Sequence, residues 1–332
     1  MNIILFMRSH NSHINGKEDA KCAPDKTYHE GSCYTTDQLV KIASIYNEAL
    51  KENKIQNKKI KIKSISIQND RKYLLREITD RLSNVCKNQI CWIKQRFIKK
   101  LSNVDFYKDL QKSFRPVGPE GKFEWLSTTH INDVMEQYER KYGNFKFFGA
   151  VPIDFDDLTY LGIKDINFDR FAGGGKTKLG FVFNLDEHWQ QGSHWVSLFA
   201  DLKKNQIYFF DSYGIKPEKR IKRLVKRIAQ WCYKRNHCDK NECSVDSVNS
   251  DSFMKGGKNK NKMEKKLKVD YNRNRHQYKN SECGVYSLNF ILRLLNGHSF
   301  QDITSKKVLD DEINKCRDTY FHFKEGKNPI KK

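Results

Sequence analysis

Apolar residues in the first third of the chain recur at the spacing of helices. Thr35 and Gln38 have the spacing of a capping box, which marks a helix start. After this point, apolar positions return every three or four residues, as on the buried face of a helix. The pattern covers three stretches: Leu39–Leu50, Tyr73–Leu82 and Ile90–Leu101. We therefore predict a helical N-terminal arm module over residues 1–115, in which no polar side chains converge on a chemical site.

The pattern changes after the Pro/Gly-rich stretch 114–121, which predicts the boundary between two domains. A helix follows from Trp125 to about Lys141. Beyond residue 145, short runs of aromatic and β-branched residues favour strands. The strand candidates are Phe145–Val151, Lys178–Asn184, Trp195–Asp201, Gln206–Asp211 and Leu267–Tyr271. The turn-forming residues 201–205 join the third and fourth candidates into a hairpin.

Two more helices complete the second domain, residues 116–332. One begins at Pro217 and carries cations on its outer face, while the other, Gly284–Asn296, is apolar enough to be buried. Between them, residues 236–266 are rich in Asn, Lys, Ser and Asp and almost without apolar residues, so we predict a disordered basic insertion. The expected fold is α+β, with a central mixed sheet flanked by helices.

The net charge of +22 is unevenly distributed. Residues 1–115 carry 23 Lys and Arg against 12 Asp and Glu, and residues 219–275 carry 18 against 6. The rest of the chain is close to neutral. Two such basic segments favour binding of DNA or another polyanion, although a solvated lysine-rich face has the same composition. Both interpretations stay open at this point.

The chain has no run of 18 apolar residues, so no membrane span is expected, and its start lacks the basic segment of a signal peptide. Nine cysteines without regular spacing are typical of an intracellular protein with free thiols. Two groups could hold a metal, one around Cys22, His29 and Cys33 and the other over residues 232–243. Neither has the paired spacing of a zinc site, so no metal or cofactor is predicted.

Cys283 is the cysteine best placed for chemistry. It stands at the predicted start of the Gly284–Asn296 helix, where unpaired N–H groups favour the thiolate form. Gly284 follows it and would let a substrate approach the backbone closely. Gln277 lies six residues upstream, and its amide could join the backbone N–H of Cys283 in an oxyanion hole. Taken without these neighbours, a buried structural thiol would be the commoner interpretation.

A thiolate needs a general base, and the chain offers two His-Trp pairs, at His188 and His194. His194 starts one strand of the predicted hairpin and Asp211 ends the other, so an imidazole and a carboxylate come together in space. His188 falls in a polar turn six residues earlier, which favours an exposed loop residue. His194 is therefore the predicted base.

The chain order His194, Asp211, Gln277, Cys283 resembles that of the adenain-like cysteine proteases, which include the SUMO-specific proteases. The stretches GSHWVSLFADLKKNQIYFFDSYG and HQYKNSECGVYSLNFI carry the resemblance, and EWLSTTHINDVMEQYE is similar to the family's opening Trp-Leu helix segment. The resemblance implies a papain-like-superfamily core of the adenain type. It further implies that His194 is the base, Asp211 its orienter, Gln277 part of the oxyanion hole and Cys283 the nucleophile.

The same resemblance implies a substrate class. Trp195 would line a narrow channel that admits glycine near the scissile bond, and Trp125 and Gly284 would also contact the substrate. The overall pattern is most similar to the maturation proteases of large nucleocytoplasmic DNA viruses, which cut polyproteins after Gly-Gly. We therefore expect a thiol endopeptidase that processes viral structural polyproteins in the virion and the host cytoplasm.

Two alternatives belong to other classes of function. One is a deSUMOylase or deubiquitinase-like protease that acts on ubiquitin-like conjugates. The other is a basic nucleic-acid-binding virion protein whose protease core is inert. Gly256-Gly257 in the predicted insertion is in addition a candidate site of self-cleavage.

Overall fold

The computed structural model describes residues 21–52, 63–237 and 267–323. The chain divides into two compact units, one within His10–Pro116 and the other within Val117–Lys332. Almost all of the predicted insertion (236–266), including Gly256-Gly257, lies outside the described residues. Within the described ranges, no helix combines the length and the apolar character that crossing a membrane requires.

The first unit is helical. It contains α1 (Thr36–Lys51), α2 (Arg71–Leu82), α3 (Gln89–Lys94), α4 (Arg96–Leu101) and α5 (Val104–Gln111). The capping box is confirmed, because Gln38 N–H donates to Thr35 Oγ1 and Thr35 N–H donates to Gln38 Oε1. The third predicted helix is instead two helices, since Gln95 between α3 and α4 has an extended backbone with ψ of 136°. The apolar residues keep their helical spacing across this turn, so spacing alone could not reveal it.

Two disulfides cross-link this unit, Cys22–Cys33 and Cys86–Cys91. The expectation of free thiols is therefore wrong for these four cysteines, and the sulfurs of Cys22 and Cys33 are not available to a metal. Sequence spacing carried no sign of the pairing, because the fold brings the Cα atoms of each pair to 5.4 Å. In the second candidate metal group, Cys232 is buried, while residues 238–243 lie outside the described part of the chain.

The second unit is built on a five-stranded sheet with the order β1-β2-β3-β4-β5. Its strands are β1 (Phe145–Pro152), β2 (Lys178–Asn184), β3 (Trp195–Asp201), β4 (Gln206–Phe210) and β5 (Lys268–Tyr271). β1 is parallel to β2 and β4 is parallel to β5, whereas β3 is antiparallel to both of its neighbours. The predicted mixed sheet is confirmed, and each strand ends within about one residue of its predicted bounds because its apolar run is short and sharply bordered.

Helices cover both faces of this sheet. They are α6 (Thr128–Lys141), α7 (Phe168–Gly173), α8 (Lys219–His237), α9 (Cys283–Leu295), α10 (Phe300–Thr304), α11 (Asp310–Asn314) and α12 (Arg317–Tyr320). Trp195 and Phe199 of β3 share a core with α6 and α9. Val196 and Leu198 share a second core with α8. Successive side chains of β3 therefore enter opposite layers and both faces are buried, as expected of an α+β fold.

Candidate active site

The hairpin of β3 and β4 brings His194 and Asp211 together. Ser197 pairs with Phe210 in the sheet, so continuing this register places His194 beside the residues that follow Phe210. His194 Nε2 lies 2.7 Å from Asp211 Oδ1, and both side chains are less than a tenth exposed. A buried imidazole and a buried carboxylate are thus in direct hydrogen-bonding contact.

Asp211 is held in place by its neighbours in the sheet. β5 runs parallel to β4 with Tyr271 opposite Phe209, which sets Asn272 beside Asp211. The Asp211 N–H donates to Asn272 Oδ1 at 2.8 Å, and Asn272 Nδ2 donates to the Asp211 carbonyl at 2.7 Å. The Tyr213 N–H donates to Asp211 Oδ1, the same oxygen that meets His194, at 2.8 Å. These bonds fix the direction in which the carboxylate points.

Cys283 is the first residue of α9 and is only 1% exposed. Its thiol interacts with the His194 side chain and contributes to the raised pKa of that ring. Because Nε2 of that ring faces Asp211, Nδ1 is the nitrogen left for the sulfur. Cys283, His194 and Asp211 therefore form one group, in which the imidazole interacts with both the thiol and the carboxylate.

The charge state of His194 follows from its interactions with Asp211 and Cys283. Burial by itself lowers the pKa of His194, since it disfavours the charged ring. Hydrogen bonds and charges of Asp211 and Cys283 outweigh burial and raise the pKa from 6.5 to about 9. The ring is then protonated at neutral pH, which suits a thiolate–imidazolium pair.

Gln277 is fully buried and joins this group through Ser212. The Ser212 hydroxyl donates to Gln277 Oε1 at 2.6 Å, and the N–H groups of His276 and Gln277 donate to the Ser212 carbonyl at 2.8 and 3.0 Å. Gln277 Nε2 donates to the Lys279 carbonyl at 2.8 Å, and its second proton has no acceptor among the described residues. The amide orientation is fixed by these bonds, and its part in an oxyanion hole stays a prediction.

Tyr213 is a residue of the site that the sequence pattern did not single out. Its ring stacks on His194 with centroids 4.5 Å apart and planes at 16°. Burial and the neighbouring Cys283 raise the pKa of its phenol. The turn after it requires glycine, because Gly214 has φ of 76° and a Cβ there would lie 2.8 Å from the carbonyl oxygen of Arg273. Hairpin register could have identified Tyr213, since continued pairing sets residue 213 opposite residue 194.

The three residues predicted to contact substrate lie around Leu126. Trp195 is buried, and its Nε1 donates to the Leu126 carbonyl at 2.8 Å. A Cβ on Gly284 would lie 3.0 Å from Leu126 Cβ, so the close approach to this glycine is made by Leu126. Trp125, the preceding residue, is 45% exposed. Trp195 and Gly284 thus secure the segment next to Cys283, and contact of any of the three with a substrate stays a prediction.

A buried polar network supports the loop that leads to the nucleophile. The Glu282 carboxylate accepts from the Ser281 N–H and from Asn314 Nδ2, each at 2.9 Å. Arg317 is fully buried and donates to Asn314 Oδ1, the Glu124 carbonyl and the Ser281 carbonyl at 2.7, 2.8 and 2.9 Å. Burial lowers the pKa of Arg317 to about 10, so it is still a cation at neutral pH. No sequence pattern indicated this network.

His188 lies in the loop between β2 and β3, as predicted, with half of its side chain exposed. Its Nδ1 is 2.5 Å from Asp154 Oδ2, and its backbone N–H donates to the other oxygen of that carboxylate. A His–Asp pair thus occurs twice in this unit. Within the described residues, the pair of His194 is the one that contacts a thiol.

Comparison with known proteins places this geometry in a family context. The model of the Ulp1 protease family, C-terminal catalytic domain, matches residues 182–326. The protein R355 of Acanthamoeba polyphaga mimivirus, which carries the name of a thiol protease, is 37% identical over 308 residues, 90% of this chain and 92% of its own length. The SUMO-1 cysteine protease S273R of African swine fever virus is 25% identical over 256 residues, 71% of this chain and 83% of its own length.

The same likeness is seen among solved structures. The crystal structure of the ASFV pS273R protease superposes with a TM-score of 0.60 at 19% identity, and the match covers 93% of this chain and 97% of that one. At this identity the superposition establishes the fold alone. It extends far beyond residues 182–326, so the shared fold includes the helical region that precedes the family match.

Proposed function

Because the chain belongs to the Ulp1 family of cysteine proteases, we propose that it is an endopeptidase that cuts viral structural polyproteins after Gly-Gly. Cys283 is the nucleophile, His194 the general base and acid, and Asp211 the residue that orients the imidazole. The observation that carries this assignment is the continuous contact from Asp211 through His194 to the Cys283 thiol. Gln277 and the Cys283 N–H are the proposed oxyanion donors.

The proposed reaction is acyl transfer in two steps. The Cys283 thiolate attacks the scissile carbonyl carbon, and the electron pair moves to the carbonyl oxygen, where Gln277 stabilises the charge. The intermediate expels the amine, which takes a proton from His194, and a thioester is left on Cys283. A water then gives a proton to His194 as it attacks the thioester, and the thiolate leaves to restore the enzyme.

The burial of the reacting groups supports glycine at the cleavage site. Cys283 and His194 are 1% and 7% exposed, and the ring of Tyr213 covers the imidazole. A peptide can bring its carbonyl to such a thiol only where no bulky side chain stands in the way. Glycine has no side chain, which makes it the residue best suited to this approach.

The relatives support a viral substrate. Both carry the names of proteases and both are viral proteins, and we propose that the activity belongs to the virion and the host cytoplasm during assembly. The name of the African swine fever virus protein includes SUMO-1, which makes a ubiquitin-like conjugate the alternative substrate.

The test compares two cysteine variants of the full chain. Cys283→Ala is expected to abolish cleavage of a Gly-Gly-containing polyprotein fragment, because it removes the thiol that forms the thioester. Cys232→Ala is the matched control, since burial raises the pKa of that thiol to about 12 and it should not react. The same assay includes SUMO- and ubiquitin-like precursors. Cleavage by Cys283→Ala would overturn the nucleophile, and faster cleavage of the precursors than of the polyprotein would overturn the substrate.

Nucleic-acid binding stays a prediction and is not needed for this function. The described part of the 219–275 segment is less basic than its sequence suggests, because two arginines of α8 are neutralised. Arg220 pairs with Glu187 at 2.8 Å, and Arg227 pairs with Asp156 at 2.9 Å. Much of the remaining charge of that segment falls outside the described residues.

A further inference from the structure

A ladder of aromatic rings and cations extends from the catalytic histidine to the protein surface. Tyr213 stacks on His194. On Tyr213 lies the guanidinium of Arg275, 5.2 Å from the ring centroid, and the same guanidinium lies 4.9 Å from the centroid of Tyr278. Lys307 also reaches Tyr278, with Nζ 5.6 Å from the ring centroid and 3.0 Å from the phenol oxygen. Arg275 is thus separated from His194 by a single ring.

The two cations of this ladder differ from their neighbours in having no carboxylate partner among the residues that the structure describes. Arg273 pairs with Asp270 at 2.8 Å and Lys279 pairs with Asp311 at 2.5 Å. Within the described residues, no carboxylate lies within salt-bridge distance of Arg275 or Lys307. The positive charge beside the active site is therefore not neutralised by any described part of the unit.

The guanidinium of Arg275 is also held in a fixed position by its neighbours. Its Nε donates to the Gln277 carbonyl at 2.8 Å, and the two tyrosine rings hold its plane. The side chain is exposed, and its terminal N–H groups form no hydrogen bond with any of the described residues. A planar guanidinium with its donors free suits a carboxylate, which it can bind through two parallel hydrogen bonds, and its fixed position reduces the entropy lost on binding.

We propose that Arg275 and Lys307 bind an acidic side chain of the substrate, within a few residues of the scissile bond. This inference rests on the proposed function, since it names a further feature of the substrate of the same site. Aspartate and glutamate near the cleaved bond would be preferred, and lysine or arginine there would be rejected by like charge.

A proteome-derived peptide library cut by the full-length protease tests the proposal and the proposed function separately. Sites of cleavage are read by mass spectrometry. Enrichment of Gly-Gly before the cut reports on the proposed function, whereas enrichment of Asp and Glu at flanking positions reports on the acidic preference. Enrichment of acidic residues without Gly-Gly would support this inference while overturning the proposed motif. Enrichment of Gly-Gly without any enrichment of acidic residues would support the proposed motif and overturn this inference.

Peptides that differ only at the enriched position then measure the effect. We expect the wild-type protease to cleave the Asp peptide about tenfold faster in kcat/KM than the Lys peptide, the size of one hydrogen bond to a charged group. Arg275→Gln and Lys307→Gln should each reduce this ratio, and Arg275→Glu should invert it. Arg273→Gln is the matched control and should leave the ratio unchanged, because that arginine already has a carboxylate partner. If the ratio of kcat/KM for the Asp and Lys peptides is unchanged in Arg275→Glu, the proposal is wrong.

Discussion

Replacing Asp211 by asparagine removes the charge of the proposed triad with little change in shape. Oδ1 of Asp211 accepts from His194 Nε2 and from the Tyr213 N–H. The carbonyl oxygen of an asparagine can accept both hydrogen bonds, so the acceptor stays while the negative charge is lost. A change in activity then reports on electrostatics rather than on a displaced ring.

The size of the effect follows from the pKa of His194. A pKa of about 9 in place of 6.5 means that Asp211 and Cys283 together outweigh burial by about 3 kcal/mol, at 1.36 kcal/mol for each pKa unit. Without the Asp211 charge, burial should bring the pKa of His194 down towards its ordinary value or below. We expect kcat/KM at neutral pH to fall on the order of 10²- to 10⁴-fold.

The assay is the pH profile of kcat/KM on a Gly-Gly peptide. Activity should decline on the alkaline side as His194 loses its proton, near pH 9 in the wild-type protease. In Asp211→Asn this decline should occur at clearly lower pH. Asp154→Asn is the matched control, because the same substitution there affects His188 and should leave the profile unchanged. If kcat/KM of Asp211→Asn declines at the same alkaline pH as that of the wild type, the role assigned to Asp211 is wrong.

The raised pKa also predicts a pH dependence of stability. Since the pKa of His194 is higher in the folded state than the ordinary 6.5, the protonated ring stabilises the fold. This stabilisation is fully present below pH 6.5 and is lost as the pH rises through about 9. Asp211→Asn should therefore lose most stability relative to wild type on the acidic side of that window, and urea denaturation across it measures the difference. A constant difference would contradict the raised pKa.

Two further substitutions test the support around the nucleophile. Gly284→Ala sets a Cβ 3.0 Å from Leu126 Cβ. Urea denaturation should therefore show a free energy of unfolding about 1–2 kcal/mol lower than that of the wild type. A variant as stable as the wild type would contradict the tight packing at this position. Arg317→Met leaves three acceptors without their donor and should cost about 3–5 kcal/mol by the same measurement. Lys315→Met, at a half-exposed lysine paired with Glu312, is its control and should cost less than about 1 kcal/mol; equal losses would argue against the network.

The hairpin of β3 and β4 and the choice between two histidines could be predicted from sequence for the same reason. A short turn joins β3 to β4 and defines their register, and register determines which residues meet at the open end of a hairpin. His194 and Asp211 follow directly from it. His188 lies outside the paired residues, so the same reasoning excluded it, and the structure gives it a different carboxylate partner, Asp154.

Other parts of the site have no local pattern from which to predict them. Arg317 is an arginine in a short helix near the end of the described chain, and only the fold brings it to Ser281 and Glu124. Its burial contradicts the usual preference of arginine for the surface. The disulfides likewise depend on distances that spacing does not encode. Interactions between segments that are distant in sequence are therefore the part of the structure that could not be predicted from the sequence pattern.

Hydrogen bonds between distant segments also explain how the site accommodates the long stretch of chain between Asp211 and Gln277. Asp211 and Gln277 are 66 residues apart, yet Asn272 and Ser212 connect their two segments by hydrogen bonds that span 61 and 65 residues. These bonds continue the parallel pairing of β4 with β5, so the sheet, rather than the chain between the strands, positions the amide of Gln277. Closing a longer loop costs only about 0.6 kcal/mol for each doubling of its length, so changes in the length of 236–266 weigh little against this pairing. The length of that segment can therefore vary while the geometry of Asp211, His194 and Cys283 stays the same.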